Sequence, residues 1–340
     1  MLGDKHFARA GMKDRIAAGL IIAVALLASF GWIDASWGQA KVARVGILSY
    51  GGTTDAAMKQ WMEPFRRKLA ERGWSEGQQI TIEYRRAVGD PAQLATAAAE
   101  LVQLKVDIIF ADSAPSTRAA HAATSTIPIV GTDFTNDPVA VGYVESYGRP
   151  GKNITGVFLD APDFSGKWLE LLKAIVPDLT RAVVLWDPSP GTAHLEAIKG
   201  LARSLRLELQ VIEVSTPEDI ERAFAALAGR PQALIILPSP MMFLQSERLA
   251  RLALKHRLPG TSMTRGFAVA GGLITYGPER IPVFEASAVL VAKILAGAKP
   301  GDLPVERPSK FELLVNLKTA KALGLTIPQS ILLRADEVIR

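Results

Sequence analysis

Three aspartates stand where short apolar segments of the sequence end, which makes them candidates for chemistry. They are Asp112, Asp133 and Asp187. Paired carboxylates can act in acid–base catalysis or bind a hard cation such as Ca²⁺. Aspartate also begins turns and caps helices, and nothing in the sequence places two of the three at a fixed distance. Ligand contact and a structural role are both open, with ligand contact favoured for Asp133.

Two loops rich in hydroxyl groups follow apolar segments and precede amphipathic ones. They are residues 49–54, with Ser49 and Tyr50, and residues 113–117, with Ser113. Backbone N–H groups at the start of a helix, together with Ser and Thr hydroxyls, can hold a carboxylate or another anion. The same residue types also cap helices in any α/β protein. The two loops together favour a site for a polar group of a ligand.

Motifs that would indicate catalysis are missing from the sequence. It contains no G-x-x-x-x-G-K-[ST] phosphate loop, no H-E-x-x-H and no G-x-S-x-G. Cysteine is absent, which excludes disulfides, thiolate metal ligands and a thiol nucleophile. His121, His194 and His256 fall on predicted helices away from the strand ends. The sequence therefore predicts a binding protein with no enzymatic activity, no cofactor and no metal.

Large apolar side chains near the same strand ends indicate an organic ligand. Small-molecule sites combine apolar walls with a few polar anchors. Tyr50 and Tyr276 are favoured as ligand contacts because each lies in a segment that contains glycine. The other large side chains could equally belong to the core, and they are Trp186, Met241, Met242 and Phe243.

The elements that would position these residues occur twice, in the same order. Apolar segments of strand length alternate with amphipathic segments of helix length, which predicts parallel sheets covered by helices. Pro91 and Pro217 precede one helix in each copy, where proline suits the first turn. The first copy has predicted strands 44–49, 80–84, 106–111 and 127–130, and predicted helices 56–72 and 92–104. The second has predicted strands 181–186, 208–214, 233–237 and 258–261, and predicted helices 193–205 and 218–228.

Two such sheets predict an α/β protein with two Rossmann-like lobes. Ligands of open α/β sheets bind beyond the carboxyl ends of the strands, so we expect a cleft between the lobes. The chain is predicted to cross between the lobes near residues 153–163 and again near 271–278. Gly271-Gly272 and Tyr276-Gly277-Pro278 could serve as hinges there, because glycine tolerates large φ/ψ changes.

These crossings define the expected domains. Residues 41–157 and 277–340 form the first lobe, and residues 158–276 form the second. Helix 283–295 and strand 311–315 are expected to complete the first lobe.

The first 40 residues have the pattern of a secretory signal. Basic residues precede an apolar run at 16–33, and Gly38-Gln39-Ala40 supplies small residues where a signal peptidase cleaves. Cleavage is expected after Ala40, which would place the remaining chain in the periplasm. The alternative is a retained anchor, since the apolar run is at the short end of what spans a bilayer.

The composition indicates a globular protein that does not bind nucleic acid. The chain has 340 residues, 49% of them hydrophobic, which is enough for two lobes with buried cores. Its formal net charge is +5. The basic residues are scattered, and dense spots such as 66–68 adjoin acidic residues, whereas nucleic-acid-binding proteins cluster them.

Five stretches of the sequence resemble the ABC transporter substrate-binding proteins, whose better-known members bind tryptophan or tyrosine. They are residues 73–84, 125–130, 149–156, 270–276 and 311–328. The resemblance implies a clamshell of the type I periplasmic-binding fold. It also implies a monomer that captures a small-molecule solute, delivers it to the membrane permease of an ABC importer and catalyses nothing.

The resemblance also places ligand contacts in loops of both lobes. In the first lobe they are Ser49, Ser113, Thr132 and Asp133, and in the second they are Asp187, Ser239 and Thr264. Amino-acid-binding members are expected to hold the amino group with an acid in the second lobe's strand-end loop, and 237–243 contains none. An aromatic or other carboxylate without an amino group is therefore at least as good a candidate as an α-amino acid. The alternatives are a ligand-sensing module and an enzyme on the same scaffold.

Overall fold

The protein is described here by a computed structural model that covers residues 42–51, 59, 62–87, 90–159 and 161–340. The predicted signal segment 1–40, with its cleavage position, lies outside the described residues. The same holds for Thr53 and Thr54 and for most of the first turns of predicted helix 56–72. Within the described ranges, no helix is both long enough and apolar enough to cross a bilayer.

The first lobe is a five-stranded parallel sheet with helices on its faces. Its strands are β1 (Ala43–Tyr50), β2 (Ile80–Ala87), β3 (Ile108–Ala111), β4 (Ile129–Asp133) and β5 (Ile154–Phe158). Between them lie helices α1 (Glu63–Glu71), α2 (Pro91–Gln103) and α3 (Ala114–Ala123). The strand order across the sheet is β2-β1-β3-β4-β5. The ends of β1, β3 and β4 are therefore neighbours.

The second lobe is a seven-stranded sheet. Its strands are β6 (Arg181–Trp186), β7 (Glu208–Glu213), β8 (Ala233–Ile236), β9 (Gly260–Ser262), β10 (Ile274–Pro278), β11 (Phe311–Asn316) and β12 (Glu337–Ile339). The order across the sheet is β12-β11-β10-β9-β8-β6-β7, and only the β10–β11 pair is antiparallel. The prediction of an α/β protein with two lobes of mainly parallel sheet is confirmed.

The remaining helices accompany the second half of the chain. They are α4 (Ala161–Ile175), α5 (Ala193–Ser204), α6 (Pro217–Ala225), α7 (Pro240–Leu244), α8 (Ser246–Lys255), α9 (Arg265–Val269), α10 (Arg280–Leu295), α11 (Leu317–Leu323) and α12 (Gln329–Leu332). Pro91 and Pro217 each occupy the first position of a helix, as predicted. Asp90 caps α2 by accepting a hydrogen bond from the N–H of Ala92 at 2.8 Å. Such caps fix where these helices begin.

Each sheet is buried between two apolar layers. In β1, Val45 and Ile47 face one layer, while Leu48 and Tyr50 face the other. This alternation follows from the two-residue period of a strand. In the second lobe, Trp168 from α4 is fully buried and donates its indole N–H to the carbonyl of Tyr276 at 2.9 Å. Both faces of each central strand are therefore apolar, as expected for parallel sheets.

The chain crosses between the lobes three times. It first passes from β5 to α4, whose side chains pack in the second lobe. It returns after β10, because Phe284 and Ala288 of α10 pack with first-lobe residues such as Phe110. It crosses again after Glu306, which pairs with Val157 of β5. The third crossing was not predicted.

The prediction that strand 311–315 completes the first lobe is wrong. This strand is β11, which pairs antiparallel to β10 with Tyr276 opposite Leu313. A short apolar strand fits the edge of either sheet, so its sequence does not reveal which sheet it joins. The predicted hinge at Gly271 and Gly272 is also wrong, because both lie in the turn between α9 and β10 inside the second lobe. The Thr319 hydroxyl donates to the Gly271 carbonyl there at 2.8 Å.

Candidate functional site

A cavity of about 150 Å³ lies where strand-end segments of the two lobes face each other. The first lobe contributes the ends of β1, β3 and β4, and the second contributes the segments after β8 and β9. Helix α10 closes one side with its first turn. Most of the residues predicted to contact ligand line this cavity, namely Ser49, Tyr50, Asp112, Ser113, Thr132, Ser239 and Thr264.

The first lobe supplies a polar wall. The Ser49 hydroxyl donates to one carboxylate oxygen of Asp112 at 2.5 Å, and the Ser116 hydroxyl donates to the other at 3.4 Å. The hydroxyls of Ser113 and Ser116 are 2.9 Å apart. The register of the sheet causes this grouping, because β1 and β3 pair so that Leu48 lies opposite Ala111, one residue before Ser49 and Asp112.

One cation of the cavity, Arg280, was not among the predicted contacts. It is the first residue of α10, and its guanidinium lies 4.4 Å from the ring centre of Phe243 and 5.2 Å from that of Phe284. Phe243 belongs to the second lobe and Phe284 packs in the first. A basic residue two positions after Pro278, next to the predicted crossing, was the available signal in the sequence.

Asp112 and Arg280 influence each other across the cavity wall. Burial raises the pKa of Asp112, and the hydrogen bond from Ser49 and the charge of Arg280 oppose that shift. Burial lowers the pKa of Arg280, and the charge of Asp112 opposes it. Each group therefore favours the charged form of the other.

The second lobe supplies a mainly apolar wall. Phe243, Leu244 and Met263 line the cavity together with Pro238 and Pro240. The two predicted hydroxyls of this lobe also have partners within it. Ser239 accepts a hydrogen bond from the N–H of Met242 at 3.0 Å and so caps α7, and the hydroxyl of Thr264 is 3.2 Å from that of Ser246.

Three predicted ligand contacts do not line the cavity. Asp133 is completely buried and accepts hydrogen bonds from the backbone N–H groups of Thr135 and Asn136 at 2.7 and 3.0 Å. Asp187 accepts one from the N–H of Ser189 at 2.8 Å, which makes it a turn residue. Tyr276 lies inside β10 and stacks on Phe311 with ring centres 5.9 Å apart. The loop predicted around Tyr276 is wrong, because Gly277 belongs to strand β10.

The apolar candidates divide in a similar way. Of the four other large side chains near the strand ends, Phe243 lines the cavity and Met242 is buried in the core. Met241 packs against that core, and the indole of Trp186 donates to the carbonyl of Gly191 at 3.2 Å. Periodicity alone could not separate Met241, Met242 and Phe243, because they are consecutive residues of the short helix α7.

Beside the cavity, three side chains form hydrogen bonds from one lobe to backbone carbonyls of the other, and we call these the rim contacts. Arg118 donates to Ser189 at 2.5 Å, and Asn136 donates to Pro190 at 3.1 Å. The third is His194, whose Nε2 is 2.7 Å from the carbonyl oxygen of Phe134. They join Arg118 of α3 and segment 134–136 in the first lobe to segment 189–194 in the second.

His194 is neutral in this arrangement. Burial lowers the pKa of His194 to about 4. Because the Phe134 carbonyl can only accept, Nε2 carries the proton. Nδ1 then accepts a hydrogen bond from the Ser165 hydroxyl at 2.7 Å. Neither His194 nor Ser165 lines the cavity, so this pair acts in packing.

The cavity wall offers a limited set of chemical groups. Among the described lining residues are one carboxylate, one guanidinium and several hydroxyls, but no imidazole or amine. Elsewhere in the described ranges, His, Asp and Glu do not gather in a group of three or more that could hold a metal ion. This set can bind a solute through charge, hydroxyl groups and apolar contact.

Comparison with known proteins identifies relatives of the chain. A family model described as ABC transporter substrate binding protein matches residues 53–339. A tyrosine-binding protein of Clostridioides difficile is 27% identical over 265 residues, covering 77% of this chain and 75% of that protein.

Two solved structures share the fold over nearly their whole length. A conserved domain protein from Vibrio cholerae has a TM-score of 0.79 and 26% identity, with 88% of this chain and 100% of that one covered. A Streptococcus pneumonia ABC domain in complex with L-Trp has a TM-score of 0.77 and 22% identity, with 87% and 99% covered.

Proposed function

This chain belongs to the ABC transporter substrate-binding protein family, and we propose that it captures a small organic solute for a membrane permease of an ABC importer. Its two lobes have the type I periplasmic-binding fold. The observation that carries the proposal is the cavity between the strand ends of the lobes, with one mainly polar wall and one mainly apolar wall.

The walls of the cavity suit a solute with an aromatic or other apolar part and a carboxylate-bearing end. Phe243, Leu244 and Phe284 offer surface for rings or chains. Arg280 and the hydroxyls of Ser113 and Thr132 offer partners for a polar end. The tyrosine-binding relative and the L-Trp complex support a solute of this kind.

Solute capture is proposed to work by hinge closure. Three crossings connect the lobes, so a modest change of backbone angles at these segments can open and close the cleft. Solute docks on one lobe, and the closed form is favoured by contacts that only it makes. The rim contacts of Arg118 and Asn136 belong to that closed form. A permease would then recognise the outer faces of both lobes.

The proposal includes export to the periplasm, a monomeric state and no catalysis. The motif search supports the last of these, as does the absence of an imidazole or an amine among the described residues that line the cavity. Mass spectrometry of the protein purified from the periplasm tests export, with Lys41 as the expected first residue. An intact N-terminus in the membrane fraction would contradict it.

A thermal-shift screen is the first test of solute capture. Aromatic acids, amino acids and other small carboxylates are added to the purified mature protein. A solute that binds only the folded state raises the melting temperature as its concentration exceeds the dissociation constant. Any compound that shifts it is then incubated with the protein and analysed for products. A binder that is returned unchanged supports the proposal, whereas turnover, or a screen without any shift, would contradict it.

The transport step has its own test. Cells that lack the gene are supplied with the labelled solute found in the screen. Loss of high-affinity uptake, restored by the wild-type gene, is expected for an importer component. Unchanged uptake would assign the protein to a different role, such as ligand sensing.

A further inference from the structure

His194 lies at the boundary between the lobes, and one side of its imidazole is covered by the other lobe. It is the second residue of α5 in the second lobe and is only 2% exposed. Its Nε2 donates to the carbonyl of Phe134 in the first lobe, with 2.7 Å between the two atoms. The side chain of Phe134 packs against the apolar cluster of the second lobe that includes Trp168. Separation of the lobes would therefore remove both the acceptor and the cover from Nε2.

The other contacts of His194 stay within its own lobe. Nδ1 accepts a hydrogen bond from Ser165, and the ring centre lies 5.5 Å from that of Trp168, both on α4. These two contacts would persist when the lobes move apart. The contact with Phe134 is the one that differs between an open and a closed arrangement, so closing the lobes removes water from the Nε2 side of His194.

The charged groups that the elements around His194 contribute near this contact have partners of their own. On α4 and α5 they form the ion pairs Lys167–Glu170 and Lys199–Glu196. From the rim they are Asp133, Asp187 and Arg118, which form hydrogen bonds with backbone groups. Among the described residues, none of these charges affects the pKa of His194. An imidazolium in this position would therefore be buried without a counter-charge, which is unfavourable.

We propose that the contact between His194 and Phe134 makes lobe closure sensitive to acid, so that the rim contacts hold the lobes together at neutral pH and protonation of His194 opens them. This inference rests on the hinge closure of the proposed function and adds a regulation to it. Open lobes expose the cavity, so acid would promote the release of a bound solute.

The direction and the limit of this effect follow from proton linkage. Burial lowers the pKa of His194 to about 4 in the closed arrangement, whereas the ordinary value for histidine is 6.5. The open form therefore binds the proton more tightly, so closure is fully favoured above pH 6.5 and is weakened as the pH falls toward 4. If opening exposes His194 fully, the ratio of open to closed protein rises about thirtyfold between pH 8 and pH 5. Partial exposure gives a smaller rise.

Asp133, which precedes Phe134, would act with the opposite sign. Burial raises the pKa of Asp133 to about 6, so acid would favour the closed form if opening exposes this carboxyl group. Its hydrogen-bond donors, the N–H groups of Thr135 and Asn136, belong to its own segment and move with it. A substitution of His194 leaves Asp133 in place. The difference between that variant and the wild type therefore isolates the histidine.

Double electron–electron resonance on the mature protein without solute tests the proposal. Because the chain has no cysteine, spin labels can be attached selectively at Ala99→Cys on α2 and Arg203→Cys on α5. Both residues are exposed, lie on different lobes and do not line the cavity. The distribution of distances between the labels gives the open and closed fractions at pH 8 and pH 5.

Three labelled proteins are compared. With His194 present, the ratio of open to closed protein should rise at least about threefold from pH 8 to pH 5. His194→Gln keeps an N–H donor for the Phe134 carbonyl but does not titrate, so it should show no such rise. His256→Gln is the matched control, because it removes an exposed histidine, and it should behave like the wild type.

An equal rise with and without His194, or no rise in the wild type, would contradict the proposal. A wild-type protein that is entirely open at pH 8 would also contradict it, because the rim contacts would then not hold the lobes. Thermal unfolding shows whether His194→Gln folds. If it does not, NMR titration of the wild-type imidazoles decides, since the His194 signal must change over the same pH range as the lobe distance. No solute is needed, so a negative result here leaves solute capture standing, and a screen without binders leaves this result standing.

Discussion

The cavity and the rim contacts are both places where the two lobes meet, and they are built in different ways. The cavity joins a polar wall from one lobe to a mainly apolar wall from the other, and its charged pair lies on the wall. At the rim, Arg118, Asn136 and His194 donate directly to backbone carbonyls of the opposite lobe. The rim contacts therefore involve protein atoms alone, whereas the cavity wall presents side chains that a solute could contact.

This difference implies that substitutions in the two regions should have different effects. A buried residue beneath the rim should mainly affect stability, because it organises the backbone of segment 133–136. A residue of the cavity wall should mainly affect affinity, because its side chain faces the space that a solute would fill.

The largest expected effect concerns Asp133 and the pH dependence of stability. Burial raises the pKa of Asp133 from 3.8 to about 6. The folded protein then binds this proton more tightly than the unfolded chain, so its contribution to stability is full below pH 3.8 and is lost as pH rises through 6. The shift corresponds to at most about 3 kcal/mol. His194 contributes with the opposite sign, because the pKa of His194 is lowered to about 4.

Comparison with Asp133→Asn isolates the contribution of Asp133. We expect the unfolding free energy of the wild type, relative to this variant, to increase when the pH falls from 7 to 4. Urea unfolding at several pH values measures it. A constant difference between the two proteins would show that Asp133 does not titrate in this range. Asp133→Ala should be destabilised at every pH, because it leaves the N–H groups of Thr135 and Asn136 without their acceptor.

Phe243→Ala should show the strongest loss of affinity in the cavity. The substitution removes an aromatic ring that lines the cavity and lies over Arg280. Losing this apolar contact corresponds to about 2 kcal/mol, or about a thirtyfold weaker affinity. Calorimetric titration with the solute found in the screen measures the change. Leu333→Ala is the control, since Leu333 is 77% exposed and does not line the cavity. Equal affinities of the two variants for the solute would show that Phe243 does not contribute to binding.

Ser113→Ala should have a smaller effect in the same direction. Ser113 lines the cavity, and its hydroxyl lies 2.9 Å from that of Ser116, so the substitution removes a hydroxyl that a solute could contact. Loss of one neutral hydrogen bond corresponds to about a fivefold weaker affinity. The melting temperature without solute should change little, because Ser113 forms no side-chain cap on α3. If this variant is unfolded, Ser113 is required for folding rather than for solute binding.

The smallest expected effect belongs to Arg118→Ala at the rim. Arg118 is exposed, and its hydrogen bond to Ser189 joins the lobes. Removing it should weaken solute affinity only about twofold to threefold, since exposed hydrogen bonds contribute little. Faster release of solute in a stopped-flow experiment is the expected signature, because the bond must break when the lobes open. A larger loss of affinity than in Phe243→Ala would show that this rim contact contributes more to solute affinity than the cavity wall does.

Much of the fold could be predicted because its elements are locally encoded. Strand 181–186 begins and ends where predicted, and Pro91 and Pro217 mark the starts of their helices. The assignment of strand 311–315 failed because sheet membership depends on contacts with β10, far away in the sequence. The third crossing was not predicted for the same reason, since it depends on which sheet β11 joins.

The candidate site was predictable to a different degree. Ser49, Asp112 and Thr132 line the cavity because parallel strands bring their ends to one edge, which the order of elements reveals. Asp133 and Asp187 follow strands too, but their carboxylates turn back to bind local N–H groups. Whether an aspartate at a strand end lines the cavity or binds local N–H groups is visible only from the atomic positions.

A crystal structure of the mature protein with the solute found in the screen tests the central claim most directly. We predict that the solute lies between Ser113 and Phe243, with its polar groups facing Asp112 and Arg280 and the rim contacts intact. A solute bound outside this cavity, or held by one lobe alone while the rim contacts are broken, would contradict the account.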